Sequence, residues 1–450
     1  MKNYCFSKYN LFLKRRDSVV GLNLFNQNLF CIDTFKYEQL ILHKEQLEVL
    51  KENDPLLFST MYKLGIIEDS DLDIPAILLL KNREEVFSNE IFDLTINLTL
   101  KCNFACWYCF ETHPNVTMNE EIQDSVIKFI AFLIHKRKIT KLRVNWFGGE
   151  PMLTFNSVFK NLAGKIKELC KKNNITLIGT LTTNGSLLKN EAISFFKEHN
   201  IKSFQITLDG NKELHNKVRY NKKETNSYDT IVANICKLVQ EIPSISLYLR
   251  INYKRENLEK SVDIIDSFPI ELRDKITISL TNIIQEKDYK IESQIKENNV
   301  GRVFKEAGFK TFRRSNFSIL YHTCYAELYN QLIINSNGHI FKCSTCDFAN
   351  EEGDGILSKD GEIIWNENAL AKRISRATFD NKKCLKCIYL PICRGGCSQH
   401  KIYNRGENNS CLIKSQYKIL IKDIMIKFLE THCKFLDLRT MEQIIMDSTE

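Results

Sequence analysis

The sequence predicts an α/β fold built on a partial (β/α)6 parallel barrel, and three observations predict it. From residue 92 onward, short strand-like runs and amphipathic helical stretches alternate with a regular beat. Three cysteines, Cys102, Cys106 and Cys109, follow directly on the first of those strands, and sites on parallel α/β barrels lie where the strands end. A second, larger set of cysteines lies beyond the last βα unit, which places a cysteine-rich module after the barrel.

At 450 residues the chain is too long for one ordinary core, so several domains are expected. Residues 1–90 form an N-terminal module, either a small α+β unit or a lid on the barrel. In it, Asp17 to Asp33 reads as two short strands around Asn26-Gln27-Asn28, and residues 35–65 read as helical, ending near Gly65 ahead of the acidic run Glu68-Asp69-Ser70-Asp71. The barrel spans 91–290. Its first strand, Phe92 to Leu100, alternates apolar and polar side chains; the others are Leu142 to Phe147, Thr176 to Thr182, Ser203 to Leu208, Ser246 to Asn252 and Ile276 to Leu280. Helical stretches lie near 117–136, 154–172, 187–199, 227–241 and 256–267, as right-handed crossovers require. A charged helical bridge over 291–323, the cysteine-rich module over 324–411 and a helical tail over 412–450 complete the chain.

The composition is that of a globular protein, 43% hydrophobic with a formal net charge of +8, a mild excess that does not indicate nucleic-acid binding. No apolar run reaches the length of a membrane span and the N-terminus lacks a signal-peptide core, so a cytoplasmic protein without a membrane partner is expected. In that reducing compartment the sixteen cysteines are ligands or nucleophiles sooner than disulfides. Eleven stand in arrays; Cys5, Cys31, Cys170, Cys236 and Cys433 are isolated, and small buried hydrophobes are expected there.

Three thiolates can hold three irons of a cubane cluster and leave the fourth open. The alternative is zinc, but zinc needs four ligands at paired spacings, and no His or fourth Cys stands suitably close to this trio. The run Cys102-x3-Cys106-x2-Cys109 after a strand resembles the radical SAM superfamily, which uses the open iron to cleave S-adenosylmethionine. Gly148-Gly149-Glu150-Pro151, at the end of the second strand, is similar to that family's GGEP motif. The resemblance makes it the binder of the methionine amino group, with glycines that let backbone approach a ligand and a glutamate that accepts from an ammonium. Thr182 and Asn184 at the end of the third strand, and Thr207 and Asp209 at the end of the fourth with Arg219 beyond, match strand ends that contact the nucleoside. Tyr108 matches the aromatic position near adenine. Arg250 and Asn252 end the fifth strand and could face the site. Turn and capping roles are the ordinary alternative for these residues.

Cys324, then Gly338 and Cys343, then Cys384-x2-Cys387-x5-Cys393-x3-Cys397 and finally Cys411 look like the seven-cysteine pattern of the SPASM domain. A zinc ribbon is the alternative, with no suitably spaced His to support it. The resemblance implies two auxiliary 4Fe-4S clusters, hence three in all. Cys384, Cys387, Cys393 and Cys411 would hold the outer one, and Cys324, Cys343 and Cys397 the inner one, with the extra Cys346 as its candidate fourth ligand.

The resemblance implies an enzyme that cleaves S-adenosylmethionine to a 5′-deoxyadenosyl radical and abstracts hydrogen from a ribosomal precursor peptide or protein, forming a thioether or carbon crosslink. An electron donor such as flavodoxin or ferredoxin would supply the electron, and the N-terminal module would bind the precursor's leader by strand addition. The alternative is an anaerobic sulfatase maturase, which makes formylglycine and places an acidic base directly after the cysteine of the G-x4-C element. Here Ser344 holds that position and Asp347, the candidate catalytic residue, comes three residues later. A non-catalytic iron-sulfur electron-transfer protein is the reading of another class.

Overall fold

The computed structural model describes residues 3–15, 18–88, 91–221, 225–283, 291–312, 323–374, 379, 381–395, 398–399 and parts of 418–429. The expected ligands Cys397 and Cys411, Cys433 and most of the expected tail lie outside these residues. The chain divides into two compact units, Met1–Val86 with Arg314–Cys324 and Ser375–Glu450, and Phe87–Arg313 with Tyr325–Ile374.

In the first unit, Asn10–Arg15, Ser18–Asn23 and Asn28–Asp33 form an antiparallel meander in that order. Asn26-Gln27-Asn28 makes the second turn, with Gln27 at φ 61. Helices Thr34–Leu42, Leu47–Asn53 and Pro55–Lys63 follow. Asp33 and Asp54 cap two of them by accepting from the backbone N–H groups of Lys36 (2.8 Å) and Leu57 (3.0 Å). Gly65, at φ 76, ends the last turn. The sequence reading missed the strand Asn10–Arg15, the pair Tyr4–Phe6 with Ile67–Asp69 and the helix Ile74–Val86. Asn10–Arg15 is buried on consecutive residues, so it shows no alternation to detect. Tyr9, Leu22, Leu40, Leu57 and Met61 share this unit's core with Tyr389, Leu390 and Ile392.

In the second unit, six parallel strands run side by side in chain order: Ile91–Asn97, Lys141–Phe147, Thr176–Thr183, Ile201–Thr207, Ser246–Tyr253 and Ile276–Asn282. The intervening helices are Glu120–His135, Lys160–Lys172, Asn190–Glu198 and Ser227–Glu241. The expected helix over 256–267 coils instead as a 3-10 segment, Glu259–Ser267, where β-branched residues, Ser and Asp weaken α-helical preference. The expected bridge contains a helix, Ile291–Glu306, and Lys310–Thr311 then pairs parallel with the sixth strand.

Alternation along each strand decides what the barrel presents inside. Leu94, Ile96, Leu142, Val144, Leu249 and Ile251 belong to the apolar core. Asp93, Thr95, Arg143, Asn145, Thr180, Thr182, Gln205, Thr207, Arg250 and Asn252 line an interior cavity instead. The first strand's other edge is covered by Gln331–Ile334, which pairs with it in parallel. His339–Phe341, Gly355–Leu357 and Ile363–Trp365 extend the sheet antiparallel from there. Among the described residues no helix is long and apolar enough to cross a membrane.

Candidate active site

The cysteine loop grows out of the first barrel strand and is docked onto the second. Leu98 N donates to Phe147 O (3.2 Å), Gly149 N to Thr99 O (2.9 Å) and Glu150 N to Lys101 O (2.8 Å). A Cβ on Gly148, whose φ is 122, would lie 2.3 Å from Thr99 O, and one on Gly149 would lie 2.3 Å from Lys101 O. These glycines let two stretches of this chain meet. Further along, Phe104–Cys106 pairs antiparallel with Arg219–Asn221, which sets Arg219 opposite Cys106. Asn103 bonds Asn184 (2.8 Å) and Ser186 (3.0 Å), tying the loop to the end of the third strand.

Cys102 and Cys106 are partly buried and Cys109 is exposed. Burial pushes the Cys102 thiol up to about 12, with Glu150 adding to the effect, and burial also raises Cys106 and Cys109. Bound iron would have to displace those protons. Contrary to the expectation that no His stands close to the trio, His113, four residues after Cys109, brings Nε2 to 3.3 Å from Cys109 Sγ. Its Nδ1 lies 3.0 Å from Leu100 O, which can only accept, so the proton sits on Nδ1. Among the described residues no three His, Cys, Asp or Glu side chains form a group that could hold a single metal ion. A cubane spreads its thiolates over separate irons, and three thiols on one loop beside a guanidinium fit that anionic group. The buried Nε of Arg219, without a hydrogen-bond partner among the described residues, fits it as well.

Glu150 is fully buried and accepts from Asn184 N (2.7 Å), Thr183 Oγ1 (2.7 Å) and Met152 N (3.0 Å). Burial raises its carboxyl against the pull of those bonds and of Arg219. Three of about four acceptor sites on the carboxylate therefore serve the chain itself, and Pro151 opens the short 3-10 turn Pro151–Thr154 beside it.

Tyr108, Asp209, Arg219 and Asn252 form one network, with Asp209 and Arg219 buried and Tyr108 and Asn252 half-buried. The Tyr108 hydroxyl donates to Asp209 and accepts from Arg219 Nη1 (2.7 Å) and Asn252 Nδ2 (3.2 Å). Asp209 also accepts from Asn252 N (2.8 Å) and stands 3.8 Å from Arg219. Burial works against the charge on Arg219, but Tyr108, Cys106 and Asp209 outweigh it and hold the guanidinium charged. Behind them, His215 Nδ1 accepts from Asp209 N (3.1 Å), and burial pushes this imidazole down to about 2, so it is neutral.

The cavity, about 590 Å3, is lined by Tyr108, Cys109, Arg219, Thr182 and Thr207 near the loop and by the polar strand residues below. Arg143 pairs with Asp93 (2.7 Å) and Arg250 bonds Asn252 (2.9 Å) within it. Glu111, also missed, lines the same space; burial pushes its carboxyl up to about 7, and Oε2 has no hydrogen-bond partner among the described residues. Only burial and proximity single it out, and neither is visible in sequence.

Tyr325, Ser344 and Thr345 line the cavity, with Tyr325 OH 2.7 Å from Ser344 Oγ and 3.8 Å from Cys343 Sγ. Asp347, the expected catalytic residue, does not line it; its carboxylate bonds Thr112 and Asn350. Cys346 is buried against Leu100, Ile333, Phe341 and Phe348, with Sγ donating to Cys343 O (3.2 Å), and burial raises its thiol. Cys324 belongs to the other compact unit, with Cys384, Cys387 and Cys393. There Cys384 and Cys387 flank a tight turn and Cys393 ends the helix Leu390–Cys393. Of the isolated cysteines, Cys170 is buried, Cys5 and Cys236 are half-buried, and Cys31 is buried but disulfide-bonded, contrary to the free thiol expected.

Residues 96–268 match the radical SAM superfamily model. A cysteine-type anaerobic sulfatase-maturating enzyme of Clostridium novyi is 25% identical over 353 residues, 72% of this chain and 92% of that protein. The structure of native anSMEcpe with bound AdoMet and Cp18Cys peptide superposes with a TM-score of 0.57 at 18% identity, covering 76% of this chain and 98% of that one. Streptococcus suis SuiB bound to S-adenosylmethionine gives 0.53 at 17% identity, covering 89% and 97%. The chain thus carries a radical SAM domain over residues 96–268, and the fold it forms beyond that domain is shared with anSMEcpe and SuiB.

Proposed function

We infer that this protein is a maturase that modifies a peptide or protein, with an oxidative crosslink as its product. Cys102, Cys106 and Cys109 would hold the cluster, whose chemistry when loaded is reductive cleavage of S-adenosylmethionine to a 5′-deoxyadenosyl radical. Glu150, with one acceptor site to spare, would take the methionine ammonium, and Tyr108, Thr182, Asn184, Thr207, Asp209 and Arg219 would shape the nucleoside end. The cavity would seat the residue that loses hydrogen. Cys324, Cys343, Cys346 and Cys397, and Cys384, Cys387, Cys393 and Cys411, would hold two auxiliary clusters. In the N-terminal unit the meander ends at outer strands, where an extended leader adds to a sheet.

The observation that carries the crosslink reading is the cavity wall around Cys343. It presents Ser344 and Tyr325 hydroxyls, while the nearest carboxylate of that segment, Asp347, is turned to Thr112. A second reading, formylglycine formation, is supported by the similarity to the Clostridium novyi enzyme. Reconstituted protein is expected to bind about twelve irons, four per cluster, and with reductant to form 5′-deoxyadenosine. Ala at all three of Cys102, Cys106 and Cys109 should abolish this, and continued cleavage would overturn the assignment. Mass spectrometry of the peptide product separates the two readings. Loss of two hydrogens without an aldehyde supports the crosslink, and a product captured by a hydrazide reagent supports formylglycine.

A further inference from the structure

The sequence treats Asp209 and Arg219 as contacts to a small molecule, yet their polar groups are largely spent on each other and on Tyr108. Both are buried, and the antiparallel pairing places Arg219 directly across from Cys106. We propose that Arg219, opposed by Asp209, sets the reduction potential of the iron-sulfur cluster carried by Cys102, Cys106 and Cys109, holding it above the value that burial alone would give.

Reduction adds one negative charge to an already anionic cluster, taken from a low-potential one-electron donor, and cluster potentials follow net charge and hydrogen bonding to the sulfurs. A fixed positive charge within the same low-dielectric region favours the reduced state. Arg219 is buried and stands directly across from Cys106 in the antiparallel pair, so its charge lies in that region. Asp209, buried 3.8 Å from the guanidinium, carries the opposite charge and acts with the opposite sign. Tyr108 accepts from Arg219 and donates to Asp209, which keeps the two charges separate and in place. The buried Nε of Arg219, without a hydrogen-bond partner among the described residues, supplies a further N–H for an anionic neighbour.

This inference rests on the cluster assignment above, and its test separates the two. In the parent protein without substrate, the cluster with an open iron is recognised as the EPR signal that changes when S-adenosylmethionine is added. A parent with no such signal would defeat the cluster assignment itself. Given the signal, its midpoint potential is measured by redox titration without S-adenosylmethionine in Arg219→Gln and Asp209→Asn. Arg219→Gln should shift it to more negative values and Asp209→Asn to more positive ones. The isosteric Asp209→Asn keeps the acceptor for Asn252 N and decides the matter if Arg219→Gln does not load. Unchanged potentials, or shifts of the same sign in both, overturn the proposal, because structural disturbance alone has no reason to follow the sign of the charge removed.

Discussion

Glu150 shows how one side chain can serve the fold and a ligand together. Its carboxylate satisfies two backbone N–H groups and a threonine hydroxyl at the junction of the second and third barrel strands. Removing a buried acceptor leaves each donor at a cost of roughly 1–3 kcal/mol. Glu150→Ala is therefore expected to lower stability by several times what an exposed substitution does, seen as a drop in the urea midpoint even without cofactor. His215 makes a pH prediction. Its imidazole is held far below the ordinary value of 6.5, so below that pH the unfolded chain binds a proton that the folded one refuses. The stability is fully present above about pH 6.5 and is lost progressively as pH falls toward the folded value. The urea midpoint should fall between about pH 7.5 and about pH 5.5, and His215→Gln should flatten that fall.

At the scale of elements, the small antiparallel pair of Phe104–Cys106 with Arg219–Asn221 is what the sequence reading did not foresee. Three-residue strands carry too little pattern to detect, and their partners lie more than a hundred positions apart. The pair locks the cysteine loop to the segment after the fourth barrel strand, so the two should open as one unit. Hydrogen exchange is expected to give matched protection for amides of both segments, and Tyr108→Phe should weaken it in both by loosening Arg219. Protection lost in one segment alone would show that they move independently. The six barrel strands, by contrast, were legible to within two or three residues at most ends, because apolar residues alternate with the polar lining along each of them.

For the barrel unit as a whole, the sheet does not stop where the βα repeats stop. Gln331–Ile334 covers the outer edge of the first strand over Asp93 to Ile96 and leads into three more antiparallel strands. Removing residues 325–374 would leave that edge bare, and an uncovered edge of an apolar strand pairs with other chains. A chain lacking this segment should aggregate on expression, whereas Ser344→Ala should remain as dispersed as the parent, as judged by size exclusion.

The sequence alone determined the fold class and the positions of the cysteine loop, the Gly-Gly-Glu-Pro turn and the polar strand ends, because periodicity and spacing are local and repeat in every βα unit. It also carried the family resemblance in Cys102, Cys106 and Cys109. Which groups each residue meets there was decided only in three dimensions. Gly148 and Gly149 are spent on the chain's own carbonyls, Asp347 is turned to Thr112, and Glu111 and His113 join the site unannounced. Hydrogen bonds and desolvation depend on which distant groups the packing brings together, and no local pattern records that.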